Sequence, residues 1–423
     1  MKKIIASASL AALSAAGVQA AYAPGLSPQE KAKAWTISGT LRGFYDDNPT
    51  SSIKANRQES WGVELSPSLA VNLALDQTLI GFNYTYDMRY YEARPRNDAD
   101  HSHHVSLKIN HAITERYKVE VSDTFNYAQE AELSQGIVSN PLRTDQNYLH
   151  NNGRLAFAAE LTPILGLVLE YQNDYWDYDQ TGNGSLSALL DRVEHLGSIT
   201  ARWQAMPNTV GLLTYSYGLI DHTSDESLRL LPNGSPPLPP LAESRDATSH
   251  FVSVGAEQNF TSQLSGRARV GGQFTHYPNA LAGQDDSVVS PYADASASWA
   301  YNPGSYLQLG VRHQRNQTDV AIGAAGTTPV QDQESTGIYG VVNHRITPNF
   351  TGSLLGQIQH SSFRGGGLEG NVDLLGAVGV NFAYQVNAFV TAEAGYNFDR
   401  LDSDLAGRSF SRNRIYFGLR ASY

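Results

Sequence analysis

The sequence predicts an all-β fold: a single transmembrane antiparallel up-and-down β-barrel of about 18 strands, preceded by a cleaved signal peptide. Three observations carry this. Apolar and polar residues alternate with a period of two through most of the chain. The alternating runs are often 11 to 15 residues long, whereas strands of water-soluble domains usually have about 5–6 residues and membrane strands need about 9–11. Finally, the apolar parity is repeatedly tipped with Tyr or Trp, as the two girdles of a membrane barrel require.

The period is plain in Leu79 to Tyr91. One parity reads Ile80, Phe82, Tyr84, Tyr86, Met88, Tyr90, and the other Gly81, Asn83, Thr85, Asp87, Arg89. A helix would mix these sets, whereas a strand gives each its own face. The same separation holds from Trp61 to Leu73, Tyr117 to Tyr127, Leu165 to Asp174, Val390 to Asp399 and Ile415 to Tyr423. Asp123, His195, His313, His344 and His360 fall on the apolar parity, which places them near strand ends or at a bulge.

Connections alternate between short and long. Short turns fall near Asp76-Gln77, Thr114-Glu115, Thr162-Pro163, Pro207-Asn208, Thr261-Ser262, Pro303-Gly304, Pro348-Asn349 and Gln385-Val386, several with turn-forming Pro, Gly or Asn. Longer polar stretches lie near 47–57, 92–102, 129–146, 179–189, 222–246, 278–287, 319–334, 363–370 and 401–411. Eight short turns join sixteen strands, and one more strand at each end (about 34–46 and 411–423) makes eighteen, an even number. Short periplasmic turns and long external loops put both termini in the periplasm.

The N-terminus carries the export signal. Lys2 and Lys3 precede an uncharged apolar stretch, Ile4 to Val18, and Val18-Gln19-Ala20 fits a signal-peptidase site, so residues 1–20 are expected to be removed; Ala21-Tyr22-Ala23 offers an alternative cleavage after Ala23. Residues 21–33 then form a short periplasmic segment and 34–423 the barrel. Loss of the two lysines takes the net charge from −11 to −13, which argues against a nucleic-acid partner. There is no cysteine, so an exported chain of this size is held without disulfides. The mean hydropathy of −0.34 excludes a helical membrane protein but suits a barrel with a polar inside.

The polar parity gives the candidate lumen lining: Arg42, Glu64, Asp87, Arg89, Lys108, Lys118, Glu120, Arg154, Glu170, Asp174, Arg202, Arg267, Arg269, Arg312, Glu393 and Arg420. Its signs are mixed, which fits cross-strand ion pairs; a selectivity filter would need rings of one sign. The basic members are somewhat denser after residue 260. No cofactor is implied. Asp98, Asp100, His101, His103 and His104 fall in a predicted external loop and are the strongest candidates for an acidic-pair protease lip; the three histidines are the strongest for a metal. A solvated polar loop explains both groups, and no Ser–His arrangement stands out.

The N-terminal third also carries a family resemblance. Tyr45-Asp46-Asp47-Asn48, Ser66-Pro67-Ser68-Leu69, Phe82-Asn83-Tyr84, Asp87-Met88-Arg89-Tyr90, Asp100 with His104, and Thr114-Glu115-Arg116-Tyr117 follow in an order that resembles the putative β-barrel porin 2 family of Gram-negative outer-membrane proteins. The resemblance covers about residues 35–130 and brings no catalytic residues. It implies an outer-membrane channel, and some members look like barrels encoded beside exopolysaccharide export systems. Two readings follow: a porin for hydrophilic solutes, or a conduit working with periplasmic export partners. The expected surroundings are outer-membrane lipid and lipopolysaccharide. The expected assembly partner is the barrel-assembly machinery, recognising the final strand that ends on Tyr423.

Overall fold

A computed structural model describes residues 33–94, 97–130, 137–232, 234–322 and 328–423. The expected signal peptide and nearly all of the 21–33 segment lie outside the described residues. The first six strands are β1 (Trp35–Asp46), β2 (Ser60–Ala74), β3 (Thr78–Tyr91), β4 (Ala99–Ala112), β5 (Tyr117–Ala128) and β6 (Tyr148–Thr162). Next come β7 (Leu165–Tyr178), β8 (Arg192–Met206), β9 (Thr209–His222), β10 (Ala247–Asn259), β11 (Leu264–His276) and β12 (Ser287–Asn302). The last six are β13 (Ser305–Asn316), β14 (Asp332–Thr347), β15 (Phe350–Arg364), β16 (Val372–Gln385), β17 (Val390–Ser403) and β18 (Phe410–Ser422). A one-turn helix α1 (Leu186–Leu190) sits between β7 and β8.

Each strand pairs antiparallel with its chain neighbours, and β1 pairs with β18 from Ser38↔Ser422 to Asp46↔Arg414, so the eighteen-stranded sheet closes. Closure leaves no sheet edge, which hydrocarbon demands because it cannot satisfy a free N–H or C=O. Strand spacing of ~4.8 Å and the usual tilt give a backbone diameter on the order of 35 Å.

All eight short turns fall where the sequence places them. Four share one device. The Thr114 hydroxyl accepts from the N–H groups of Arg116 and Tyr117 at 3.2 and 3.1 Å. Thr162 and Thr261 do the same for Ile164/Leu165 and Gln263/Leu264, and the Asn387 side chain for Phe389/Val390. A short side-chain acceptor two and three residues ahead of the return strand satisfies donors that the tight reversal strips from the ladder. At the Pro303-Gly304 turn, Gly304 has φ +79°, a region costly for any residue with a Cβ.

The alternation sets two faces. In β1, Trp35, Ile37 and Leu41 are exposed while Thr36, Ser38, Thr40 and Arg42 are buried. Trp61, Leu213, Val254, Ile358, Phe417 and Leu419 likewise point out, more than 50 % exposed. A water-soluble surface rarely leaves so large a continuous apolar band open; lipid covers it. Girdle aromatics pair across strands at both ends: Trp35 lies 5.8 Å from Tyr423, and Tyr45 lies 5.0 Å from Trp61.

The polar residues on the outer parity do not mark slips of register. Asp123 accepts from the Asn151 amide at 3.1 Å. His195 pairs with Tyr171 and His344 with Tyr301, and His313 lies beside Thr336 and Glu334; His360 stands opposite Thr336 in the ladder. Each side chain with a polar partner reduces its own exposure to hydrocarbon through that pairing.

The loop expected at 92–102 is shorter than the sequence suggests, because β4 begins at Ala99. Asp98 precedes it; Asp100, Ser102 and His104 face one side and His101 and His103 the other, so their period is that of a strand with polar residues on both faces. Because Leu213 lies mid-strand on the outer face, Leu213→Arg is expected to cost about 2–4 kcal/mol of folding free energy, read as a lower denaturant midpoint for folding into lipid vesicles. An unchanged midpoint would put this face out of contact with lipid.

Candidate channel lining

All sixteen candidate lining residues share the inner face, as ladder pairs such as Glu64↔Arg89, Asp294↔Arg312 and Thr40↔Arg420 require. Register groups them into three networks.

The first runs over β17, β18, β1, β2 and β3. Arg42 is held between Glu64 at 2.5 Å and Glu393 at 2.7 Å; Glu64 also takes Arg89 at 2.6 Å, and Arg420 approaches Glu393 at 3.4 Å. Asp87 accepts from the Ser66 hydroxyl and lies 3.4 Å from His104. Gly418 makes this packing possible, since a Cβ there would lie 2.4 Å from Arg42 Cγ.

The second network covers β4 to β7. Arg154 bridges Glu120 and Glu170, each at 2.7 Å, and Lys108 reaches Glu120 at 3.7 Å. Asp174 takes the Asn152 amide at 2.6 Å and His150 at 3.1 Å. Lys118 makes no ion pair among the described residues.

The third covers β8 to β13. Arg202 binds Glu257 at 2.6 Å, and Arg267 lies 3.8 Å from the same carboxylate. Arg269 and Arg312 share Asp294 at 3.4 and 3.1 Å.

Two groups escaped the sequence reading. Arg412 and Arg414 extend the inner parity of β18, and Arg412 meets Asp399 at 2.7 Å while Arg414 meets Asp46 at 2.8 Å. Both also hold Glu130, at 2.8 and 3.1 Å, from the loop after β5. That loop enters the barrel. Arg143 binds Asp100 at 2.7 Å. The Val138 N–H donates to the Gln359 side chain at 2.6 Å, and Gln359 and Gln333 donate back to the Val138 carbonyl. Val138 packs with Leu375, Ala377, Leu401 and Phe410, with Leu142 alongside. The loop is rooted between β5 and β6, yet its middle lies on β14 to β18, halfway round the closed sheet. The sequence signal for it was Leu375, Ala377, Leu401 and Phe410, apolar residues clustered on the inner parity of three neighbouring strands.

The loop after β13 meets this one, the Asp319 N–H donating to the Ser139 carbonyl at 3.3 Å, and is itself tied to other loops. Arg245, fully buried, donates to the carbonyls of Leu189 and Thr318, both at 2.6 Å. Burial, then the nearby Arg192, pulls its guanidinium down to about 10, so it stays charged at neutral pH. Arg408 ties Asp319 at 2.5 Å to Asp373 at 2.8 Å.

The acidic and histidine groups near residue 100 do not form a reactive site. Asp100 is committed to Arg94 and Arg143, while His101 and His103 sit on the opposite face with Tyr86 and Tyr84. His104 faces inward with Asn126, so the three histidines cannot converge. No metal-binding group of His, Asp and Glu occurs among the described residues.

A closed eighteen-stranded barrel with an apolar outside and an ion-paired polar inside is the architecture of an outer-membrane porin. The sequence profile of the family described as putative beta-barrel porin 2 matches residues 35–423, and the chain belongs to that family. It is a porin-like channel of the Gram-negative outer membrane. None of the curated proteins matches it. Among solved structures it is similar to Pseudomonas aeruginosa OpdK crystallised with vanillate, at 10% identity and a TM-score of 0.44, over 92% of this chain and 99% of that one. It is also similar to Pseudomonas aeruginosa OccK9 (OpdG), at 12% identity and a TM-score of 0.45, over 92% and 98% of the two chains. A BenF-like porin from Pseudomonas fluorescens Pf-5 gives 10% identity and a TM-score of 0.45, over 92% and 99%.

Two outcomes are expected. Arg42→Ala removes the cation that Glu64 and Glu393 share, leaving Glu64 only Arg89 and Glu393 only the looser Arg420, and costs up to about 3–5 kcal/mol, against a smaller loss for Arg42→Lys, measured by denaturant unfolding in detergent. Equal midpoints for wild type and Arg42→Ala would show the pair to be solvated. Burial alone would raise Glu130, but the guanidinium groups of Arg412, Arg414, Arg89 and Arg143 outweigh it and hold the carboxyl well below its usual range. Stability from a depressed carboxylate is present above its unfolded pKa of about 4.3 and lost only as pH falls through the depressed value. Hydrogen-exchange protection at 137–147 should therefore persist from pH 7 to pH 5 and weaken at pH 7 in Glu130→Gln. Loss of protection in the wild type between pH 6 and pH 5 would contradict this.

Proposed function

We propose that the protein is a passive diffusion channel for small hydrophilic solutes, with the sixteen inner-face residues as its lining. One observation carries this: the segment around Val138 crosses from β5–β6 to the far wall at β14–β17 and is fixed there. A strand of chain across the lumen obstructs a polymer far more than a small molecule. The exopolysaccharide conduit is correspondingly disfavoured, and no export partner is invoked.

The same arrangement supports the remaining assignments. The long loops cluster at one end and the short turns at the other, where both β1 begins and β18 ends, so both termini are periplasmic. β18 is the closing strand and carries outward Ile415, Phe417 and Leu419, a surface suited to recognition by the barrel-assembly machinery. Outer-membrane lipid covers the apolar band, and lipopolysaccharide meets the external rim. The chain is read as a channel without enzymatic activity, since Asp100 is neutralised by two arginines and faces away from His101.

Refolded protein lacking residues 1–20 should give steady conductance in a planar bilayer. Glu130→Ala combined with Arg143→Ala, which frees the crossing segment, should raise the single-channel conductance severalfold and add current noise. A silent wild-type barrel, in repeated insertions, would refute the channel reading; an unchanged double variant would refute the segment's role in narrowing it.

A further inference from the structure

Resting on the channel reading, we propose that the inner wall of β8 to β13 holds a binding site for small oxyanionic solutes, carboxylates and phosphate, centred on Arg267 and Arg269. In the other two networks a cation lies between two carboxylates: Arg42 between Glu64 and Glu393, Arg154 between Glu120 and Glu170. In the first of these Glu64 and Glu393 also lie between two guanidinium groups, yet cations and carboxylates balance, Arg42, Arg89 and Arg420 against Glu64, Asp87 and Glu393; here they do not. Glu257 lies between Arg202 and Arg267, and Asp294 between Arg269 and Arg312. Four guanidinium groups share two carboxylates, so positive charge is in excess.

Register enforces the crowding. Glu257 stands opposite Arg267, and Asp294 opposite both Arg269 and Arg312. Arg267 and Arg269 are two residues apart on one strand, hence neighbours on one face at ~7 Å. Like charges so placed repel unless a counter-charge joins them. Their contacts to carboxylate are the loosest of the set, 3.8 and 3.4 Å. The Nε of each is buried and has no hydrogen-bond partner among the described residues.

The wall is shaped to hold them. A Cβ at Gly255 would lie 2.8 Å from Arg269 Cγ, so the glycine lets that side chain lie flat against β10, where its Nη2 also reaches the Tyr292 hydroxyl at 3.2 Å. Among the described residues, none of the ion pairs or side-chain hydrogen bonds of the four arginines reaches a loop residue. The side chains of Arg267 and Arg312 remain 32% and 39% exposed toward the interior. A guanidinium presents a planar fork that matches a carboxylate or phosphate edge, and arginine-lined constrictions favour anions.

The test is single-channel recording of the protein without residues 1–20 under a potassium chloride gradient, followed by addition of inorganic phosphate or acetate. The wild type should pass chloride several times more readily than potassium, and both added anions should reduce the chloride current. Arg267→Gln with Arg269→Gln should bring the permeability ratio to unity or below and abolish the reduction. Arg312→Gln, on another strand, should move it the same way by a smaller factor. Arg400→Gln, on the outer wall, should match the wild type. A barrel that conducts but prefers potassium, or a double variant with wild-type ratio and block, overturns the site while leaving the channel standing. A silent wild-type barrel overturns the channel reading and the site with it.

Discussion

The β1–β18 ladder is the contact on which everything else depends. Within hydrocarbon an unpaired backbone N–H or C=O has no water to bond, so a sheet crossing the membrane must have no edge. The chain meets this by bringing Ser38–Asp46 against Arg414–Ser422, segments from opposite ends of the sequence. Once closed, the sheet has only an outside and an inside, and the period of two assigns every strand residue to one or the other. Lipid claims one parity, which must be apolar. The other parity is free to be polar, and the low mean hydropathy follows from that division.

A polar inside creates its own difficulty. Charges brought together on a concave wall need partners, and antiparallel register supplies them from the facing strand. Arg42, Arg154 and Arg414 each sit between two carboxylates, so those parts of the wall are neutral or acidic and well ordered. Where apolar residues replace charge on the inner wall, at Leu375, Ala377 and Leu401, the chain covers them with Val138 and Leu142 rather than leave them in water. The crossing segment is therefore a consequence of an apolar inner patch, fixed in place by Glu130 and Arg143 at its two roots.

Most of the fold was legible in the sequence because its two signals are local. Alternation is read residue by residue, and a turn such as Thr162-Pro163 carries its own acceptor. All sixteen lining candidates sit on the inner face for the same reason: parity is conserved along a strand. What stayed hidden depends on register and on loops. Glu257 and Arg267 are ten residues apart and face each other only because the turn between β10 and β11 has the length it has. Glu130 and Arg412 lie far apart in the chain, and no local pattern joins them. The polar run from Asp98 to His104 reads as a loop because both its faces are polar; only pairing with β3 and β5 reveals a strand whose outer histidines are satisfied by tyrosines.

Arginines that look alike in the sequence thus divide into two kinds. Arg245, buried among loop carbonyls, and Arg414, clamped by Asp46 and Glu130, hold segments in place. Arg267 and Arg269 compete for too few carboxylates and keep unpaired donors. The first kind gathers where loops enter the interior, against β14 to β18 and β9; the second lies at the start of β11, beside the short turn, with no bond to a loop among the described residues. The wall of β17 to β3 is accordingly charge-balanced, and that of β8 to β13 positive. On the proposed channel reading, a solute passing the β8–β13 wall meets guanidinium groups that outnumber their carboxylates, which the charge-balanced wall of β17 to β3 does not offer.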